Sequence, residues 1–352
     1  MIPVAHGPAR AYALRMTSAD PPPDADLWFL PGPPEPAEDT TPAAPPALAD
    51  PAAWAGAEAA APARLARAAA RLAVLDERLR RAPPGWTHRL ALIEAAELGW
   101  LAGDRIAPDR LALWLALRLS SAGDDHAALL RLGWAVRRLS GGPGPLAGLA
   151  AFLGRHDPGT QAAGADLLSD RAAAWTAPLR AARDLHPLTR ACMGFHLWPL
   201  AGLSATGDRV EAAVTAARLA AEDCDHAVFA PLALGGAGGL RAGGPPAARL
   251  ARWLDGAEAA TRAALRHLAA VEDWSEAATA ALAPLSGRTP PALVAALAEW
   301  PLLSAPMAEE ITGASRAAVQ RNLLRLQQMG LLREVTGQGR FRLWRAALRD
   351  GG

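Results

Sequence analysis

Several polar side chains near the C-terminal end of the chain have the types and spacing needed to read DNA bases. In the stretch SRAAVQRNLLRLQQM, which begins at Ser315, arginine and glutamine recur at about one helical turn. Arginine can form two hydrogen bonds with a guanine edge and glutamine with an adenine edge, and both edges face the major groove. A helix in that groove brings its N-terminal residues closest to the bases. The candidate DNA-contacting residues of this stretch are Ser315, Arg316, Gln320, Arg321 and Arg325.

The same stretch also has an apolar side, which predicts a helix over residues 315–329. Five apolar residues recur at three- and four-residue spacing, the pattern of one buried helix face: Ala318, Val319, Leu323, Leu326 and Met329. Ser315 can cap the free N–H groups at the start of this helix, and Gly330 can end it.

Two shorter helices are predicted before this one. The first has apolar residues at helical spacing and ends at a proline: Leu293, Val294, Leu297 and Pro301. Ser304 can cap the second helix, whose apolar face would be Met307 and Ile311. Gly313 supplies the sharp turn required between the two helices of a helix-turn-helix.

The segment after the third predicted helix has the pattern of a β-hairpin. The runs 331–336 and 340–344 alternate in polarity and are joined by Gly337-Gln338-Gly339. Three helices followed by a two-stranded wing form a winged helix-turn-helix. At this wing, over residues 331–344, we expect Gln338, Arg340 and Arg342 to contact the phosphate backbone or the adjacent minor groove.

The charge distribution favours a nucleic-acid partner for the C-terminal region. Residues 288–349 contain nine Arg and four Glu, a net charge of +5, so the rest of the chain carries 1 − 5 = −4. A basic module on an acidic body is typical of DNA-binding proteins. Winged helices also dock proteins, however, and an arginine-rich helix face is often only a solvated face. Protein docking therefore stays open as an alternative.

The rest of the chain predicts a mainly α fold with a multi-helix body. Helical patterns follow one another from about residue 54, and the last of them covers residues 246–271. A Gly- and Pro-rich link over residues 140–145 divides the body. The predicted organisation is a head over residues 1–53, helical regions over 54–140 and 145–286, and the winged helix-turn-helix over 288–349.

The head is rich in proline and acidic residues, and we predict that most of it is disordered. Such a segment lacks enough apolar surface to fold alone. Its apolar anchor is LWFL at residues 27–30. We interpret this anchor as a tail that packs on the helical body; docking to a partner or covering of the basic module are the alternatives.

Composition excludes several other classes. No run of 18 strongly apolar residues occurs, so no membrane span is expected, and the N-terminal residues lack the pattern of a signal peptide. Two cysteines, Cys192 and Cys224, are too few for a disulfide scaffold and too far apart for a metal knuckle. We expect a cytoplasmic protein without metal or cofactor.

One enzymatic alternative rests on two histidines in the body. His186 and His196 lie in an apolar context and could line a small pocket with Arg190 and Trp198. No catalytic motif accompanies them, and the sequence positions no carboxylate to orient either histidine. The sequence therefore predicts no catalytic residue.

Two stretches carry a resemblance to known proteins. Residues 190–220 and 288–346, above all LLSAPM at 302–307 and REVTGQGRFRLW at 333–344, resemble a family of uncharacterised alphaproteobacterial proteins. These helical proteins are often plasmid-borne and end in a helix-turn-helix DNA-binding domain. The resemblance implies a helical body of unknown role and a DNA-binding C-terminal domain. It implies no catalytic residue.

Together these patterns predict a DNA-binding protein that acts as a transcriptional regulator. The helix over 315–329 would enter the major groove of double-stranded DNA while the wing grips the backbone. The body would supply dimerisation, a surface for a protein partner or a ligand pocket. A homodimer is expected because most operators have two-fold symmetry. The first alternative is a structural or replicon-maintenance protein whose winged helix docks another protein, and the second is an enzyme.

Overall fold

The computed structural model describes residues 46–117, 125–154, 162–204, 208–284, 286–336 and 342–348. This part of the chain is mainly helical and has one small antiparallel sheet near its C-terminal end, which confirms the predicted fold class at that level. None of the helices that can be described is long and apolar enough to cross a membrane.

The described residues form fourteen helices. In chain order they are α1 Pro46–Ala49, α2 Pro51–Ala59, α3 Pro62–Arg80, α4 Gly85–Ala102, α5 Pro108–Leu117, α6 His126–Ser140, α7 Leu149–Leu153, α8 Ala162–Ala181, α9 Pro187–Leu197, α10 Val210–Ala220, α11 Pro246–Leu282, α12 Thr289–Glu299, α13 Ala305–Thr312 and α14 Arg316–Gln328. Proline stands at one of the first two positions of several of them, where its missing N–H has no helical partner to lose.

Helix α11 connects the helical body, residues 46–284, to the C-terminal module, residues 288–348. It is 37 residues long and extends to Leu282, eleven residues beyond the predicted end at residue 271. Its first part packs on α2, α3 and α9, and it also contacts α12. Gly239 and Gly256 allow a loop of the body to lie against α11, because a Cβ at Gly256 would lie only 2.6 Å from the Gly239 Cα.

The C-terminal module has a hydrophobic core distinct from the large core of the body. Residues of α12, α13, α14 and the sheet form this second core together with three residues from the last turns of α11: Trp274, Ala278 and Leu282. The indole N–H of Trp274 also donates to the carbonyl of Leu331 at 2.9 Å. The module therefore depends on the end of α11 for part of its interior.

The sheet has three strands, so the prediction of a two-stranded element is wrong by one strand. Strands β1 Leu303–Ser304, β2 Leu332–Glu334 and β3 Leu343–Ala346 lie in the order β1-β3-β2, and both pairs are antiparallel. Strand β1 has two residues and directly precedes α13. That length is too short for alternating polarity to be recognised in the sequence.

Two residues predicted to be buried in the module are exposed. Ile311 has 44% of its surface exposed and Met329 has 39%. Ile311 lies in the last turn of α13, and Met329 lies past the last residue of α14, where the chain turns away at Gly330. Of the other residues predicted to be buried on α14, Val319, Leu323 and Leu326 are inside the core and Ala318 is half-buried.

The end of the predicted head is helical. Residues 46–53 belong to α1 and the start of α2, and both Leu48 and Trp54 are buried in the body core. The indole N–H of Trp54 donates to the carbonyl of Leu48 at 3.0 Å. Residues 1–45, including the apolar anchor at 27–30, lie outside the described residues.

Candidate nucleic-acid interface

Local sequence signals position α13 and α14 as the prediction requires. The hydroxyl of Ser304 accepts from the Met307 N–H at 3.2 Å at the start of α13. Gly313 ends α13 with φ 63°, a left-handed conformation that favours glycine, and three residues separate the two helices. Ser315 then caps α14. These observations confirm both predicted caps and the predicted turn.

The candidate residues of α14 lie outside its buried stripe, with Arg321 opposite the stripe and Arg316 beside it. Successive residues of a helix are rotated by about 100°. With Val319, Leu323 and Leu326 facing inward, Arg321 points most directly outward. Arg316 and Gln320 flank it on one side and Arg325 on the other, and all four side chains are exposed. The helix therefore presents four exposed polar side chains.

The arginines of this surface have no acidic partner. Within the described part of the chain, Arg316, Arg321 and Arg325 make no ion pair. Each guanidinium presents N–H donors in a planar fork, which matches phosphate oxygens or a guanine edge. Three cations on one exposed helix surface can therefore receive an anionic partner without first breaking an internal bond.

Ser315 has a structural role as well as an exposed position. Its hydroxyl oxygen accepts from the Ala318 N–H at 3.4 Å, which caps α14, and the residue itself is exposed. Because a capping serine uses an oxygen lone pair, its O–H remains available as a donor to a phosphate oxygen.

The structure describes only part of the predicted hairpin contact surface. Gln338 and Arg340 lie outside the described residues. Arg342 directly precedes β3, is half-buried, and is engaged by another group of the chain.

Sequence reasoning missed Arg333 as a candidate. This residue of β2 is exposed and pairs in register with Arg345 of β3, and it has no ion-pair partner in the described ranges. Its neighbour Leu332 is buried, so the alternation along β2 could have shown that Arg333 faces away from the core.

The exposed surface of the module also contains apolar side chains. Leu324 has 44% of its surface exposed and lies one turn after Arg321 on the outward side of α14. Ile311 and Met329 are the other large exposed apolar residues of the module's described part. Apolar groups on such a surface suit contact with a thymine methyl group or with another protein.

The structure does not bring His186 and His196 to one site. His186 caps the start of α9, with its Nδ1 accepting from the Leu188 N–H at 3.1 Å, whereas His196 lies in the last turn. Ten residues of helix separate them by about 15 Å along the axis. Burial, followed by the charge of Arg249, lowers the pKa of His196 to about 3, and its Nδ1 lies 2.9 Å from the Arg249 Nη1.

The other residues of that predicted pocket have structural partners. Arg190 forms an ion pair with Glu222, and the indole N–H of Trp198 donates to Ser204 Oγ at 2.8 Å. No group of three or more histidine, cysteine or acidic residues that could hold a metal ion occurs in the described ranges.

Comparison with known proteins finds no family model that matches this chain and no curated protein that is similar to it.

Proposed function

We propose that the C-terminal module is a winged helix-turn-helix that binds double-stranded DNA, and that the protein is a transcriptional regulator. In this proposal α14 lies in the major groove, and the β2–β3 hairpin is the wing that contacts the backbone. The observation that carries the proposal is the set of three exposed arginines on α14, Arg316, Arg321 and Arg325, which form no ion pair among the described residues.

Each candidate residue has a role in this arrangement. Arg316, Gln320 and Arg321 occupy the first two turns of α14, which are closest to base edges in a groove-bound helix. Arg325 stands further from the start of α14, and Arg333 stands on strand β2. We therefore assign both residues to contacts with phosphates. We also propose backbone contacts from Gln338, Arg340 and Arg342.

The remaining parts of the proposal are the location and the oligomeric state of the protein. We propose that the protein acts in the cytoplasm as a homodimer, because two-fold operators bind two copies of such a module. No catalytic role and no cofactor is part of the proposal.

Salt dependence of DNA binding tests the proposal. The full chain is titrated onto a labelled random-sequence duplex at increasing salt, and binding is followed by fluorescence polarisation. Neutralised phosphates release counterions, so the association constant should fall steeply, with a log–log slope of about −0.9 per phosphate contacted. The Arg316→Ala/Arg321→Ala variant, which lacks two cations, should bind this duplex more weakly, with a slope smaller in magnitude by up to about 1.8.

A charge-matched variant separates this effect from bulk electrostatics. Arg71 and Arg180 are exposed body arginines that make no ion pair in the described part of the chain. The Arg71→Ala/Arg180→Ala variant should bind DNA as the unmodified chain does. Equal loss in the two double variants, or no binding by the unmodified chain at low salt, would contradict the proposal.

The exposed Leu324 favours one alternative, docking of another protein by the same surface, as in a structural or replicon-maintenance protein. A protein partner would gain most from burying Leu324 and its exposed neighbours Ile311 and Met329. Leu324→Ala should then abolish association with the partner, and salt should have little effect. In the DNA-binding proposal Leu324→Ala changes affinity less than Arg321→Ala.

A further inference from the structure

A cavity of about 180 Å³ lies between the helical body and the C-terminal module. Leu92 and Ile93 of α4 and Ala112 of α5 form an apolar wall on the body side, and Leu348 contributes from the module. The polar groups at the cavity are Arg89 of α4, Asp109 of α5, His267 of α11 and Arg345 of β3. The cavity is thus lined by both apolar side chains and nitrogen donors.

Arg89 is a buried cation without a carboxylate partner. Only 4% of its surface is exposed. Its Nη2 donates to the carbonyls of Leu297, Ala298 and Trp300 at 2.8, 3.2 and 2.7 Å, at the C-terminal end of α12. Its Nε has no hydrogen-bond partner, and no acidic residue in the described ranges forms an ion pair with it. A buried charge in this state is costly unless an anion neutralises it.

In two other residues that line the cavity, one side-chain nitrogen is enclosed by protein atoms. These nitrogens are His267 Nε2 and Arg345 Nε, neither of which has a hydrogen-bond partner in the part of the chain that is described. Arg345 also pairs through Nη1 with Asp109 at 3.2 Å. Burial, followed by the charge of Arg89, lowers the pKa of His267 to about 4, which places the two groups in one electrostatic environment.

Counting Arg89 and Arg345 as positive and Asp109 as negative leaves one positive charge at the cavity. A single negative charge would therefore balance it, and a doubly charged phosphate would exceed it. The volume also fits an organic acid, because a cavity of about 150 Å³ is large enough to hold benzene. The apolar wall would cover the hydrocarbon part of such a molecule.

We propose that this cavity binds a small organic carboxylate. The carboxylate oxygens accept hydrogen bonds from Arg89 and His267, and the apolar part packs against Leu92, Ile93 and Ala112. A guanidinium and an imidazole beside an apolar wall are the few polar groups that orient a ligand in such a pocket.

The ligand would act on the position of the C-terminal module. Arg89 holds the end of α12, and α12 packs on both α13 and α14. Arg345 ties β3 to α5 across the same cavity. A ligand bound to these arginines would therefore change the strength of the interaction between the module and the body. An effect on DNA affinity rests on the proposed function, whereas binding of the ligand does not.

Calorimetric titration of the full chain with benzoate tests the site, with benzyl alcohol as the uncharged ligand of similar shape. Benzoate should bind saturably, with a dissociation constant of about 1 mM or below, and benzyl alcohol should bind at least about tenfold more weakly because it lacks a charge-assisted bond. Ala112→Leu fills the cavity and should abolish benzoate binding. His267→Leu leaves the space open and should weaken benzoate about tenfold through the lost donor.

Circular dichroism and the unfolding midpoint show whether each variant is folded, and the comparison of the two ligands on the unmodified chain stands without any variant. Absence of saturable benzoate binding, equal binding of benzyl alcohol, or unchanged binding by a folded Ala112→Leu variant would overturn the proposal. DNA affinity is measured separately, with and without benzoate. Benzoate binding without DNA binding would refute the proposed function alone, and the reverse result would refute this site alone.

Discussion

Several arginines of the helical body form ion pairs, whereas the arginines of α14 form none among the described residues. Body arginines form ion pairs that join distant elements, such as Arg64 with Asp255, Arg131 with Asp104 and Arg190 with Glu222. No such pair is formed by the α14 arginines among the described residues. The chain uses arginine for all its basic residues, so the residue type alone does not separate these two roles. Location does, because exposed body arginines such as Arg71 and Arg180 also form no ion pair among the described residues, whereas the three α14 arginines share one short helix of the basic module.

The body and α14 also differ in the burial of their ionisable side chains. The carboxylate of Glu94 is fully buried in the body and accepts N–H groups of Leu232, Ala233 and Leu234 at 2.8, 2.8 and 3.2 Å. In the body, ionisable side chains are therefore held in internal contacts. On α14, charge is kept at the surface, where it contributes little to folding and remains available to a partner.

The largest loss of stability is expected from replacing Arg89, which connects the helical body to the end of α12. Arg89→Met should lower the free energy of unfolding by about 3–4 kcal/mol, because carbonyls at the end of α12 lose a charged donor. Denaturant unfolding of this variant and of Arg71→Ala, a surface control, measures the difference. A loss below about 1 kcal/mol would show that the α12 carbonyls do not depend on Arg89.

A somewhat smaller effect is expected from the titration of Glu94. Burial raises the pKa of Glu94 to about 7 from 4.5, although the three backbone hydrogen bonds lower it. The folded protein therefore binds the Glu94 proton more tightly than the unfolded chain does. The contribution of Glu94 to the free energy of unfolding is greatest below pH 4.5. It should fall by up to about 3 kcal/mol as the pH rises to 7 and then level off.

Unfolding measured between pH 4.5 and 8 in the unmodified chain and in Glu94→Gln checks this. The variant should lack this component of the pH dependence. The same pH slope in both proteins would assign the titration to another group.

Arg321→Ala tests whether an arginine of α14 contributes to DNA affinity and not to stability. DNA affinity for a specific site should fall by about 1–3 kcal/mol if Arg321 contacts a guanine, while the free energy of unfolding should change by no more than about 0.5 kcal/mol. Arg340→Ala, as a backbone contact, should weaken binding to all sequences alike. Binding measured on matched and mismatched duplexes distinguishes the two, and a sequence-dependent effect of Arg340→Ala would remove its assignment to the backbone.

The smallest effect is expected at an exposed ion pair of the body. The side chains of Arg64 and Asp255 are 48% and 53% exposed. Solvent screens such a pair, so Arg64→Ala should lower the free energy of unfolding by about 0.5 kcal/mol or less and should leave DNA affinity unchanged. A marked loss of DNA affinity in this variant would break the distinction between the two groups of arginines.

Local signals made much of the C-terminal module predictable from the sequence. The serine caps, the turn at Gly313 and the buried stripe of α14 each depend on residues within a few positions of one another. The third strand, the exposure of Ile311 and the full length of α11 were missed because tertiary packing decides them. The cavity could not be predicted at all, since Arg89 meets its carbonyl partners 208 or more residues later in the chain.

The central claim is that the arginines of α14 read DNA. Recovery of genomic fragments of the source organism by the purified full chain tests it most directly, beside the Arg316→Ala/Arg321→Ala and Arg71→Ala/Arg180→Ala variants. We predict a shared sequence motif among fragments bound by the unmodified chain and by the body variant, and loss of that motif with the α14 variant. Fragments indistinguishable from bulk DNA, or a motif that survives in the α14 variant, would contradict the claim.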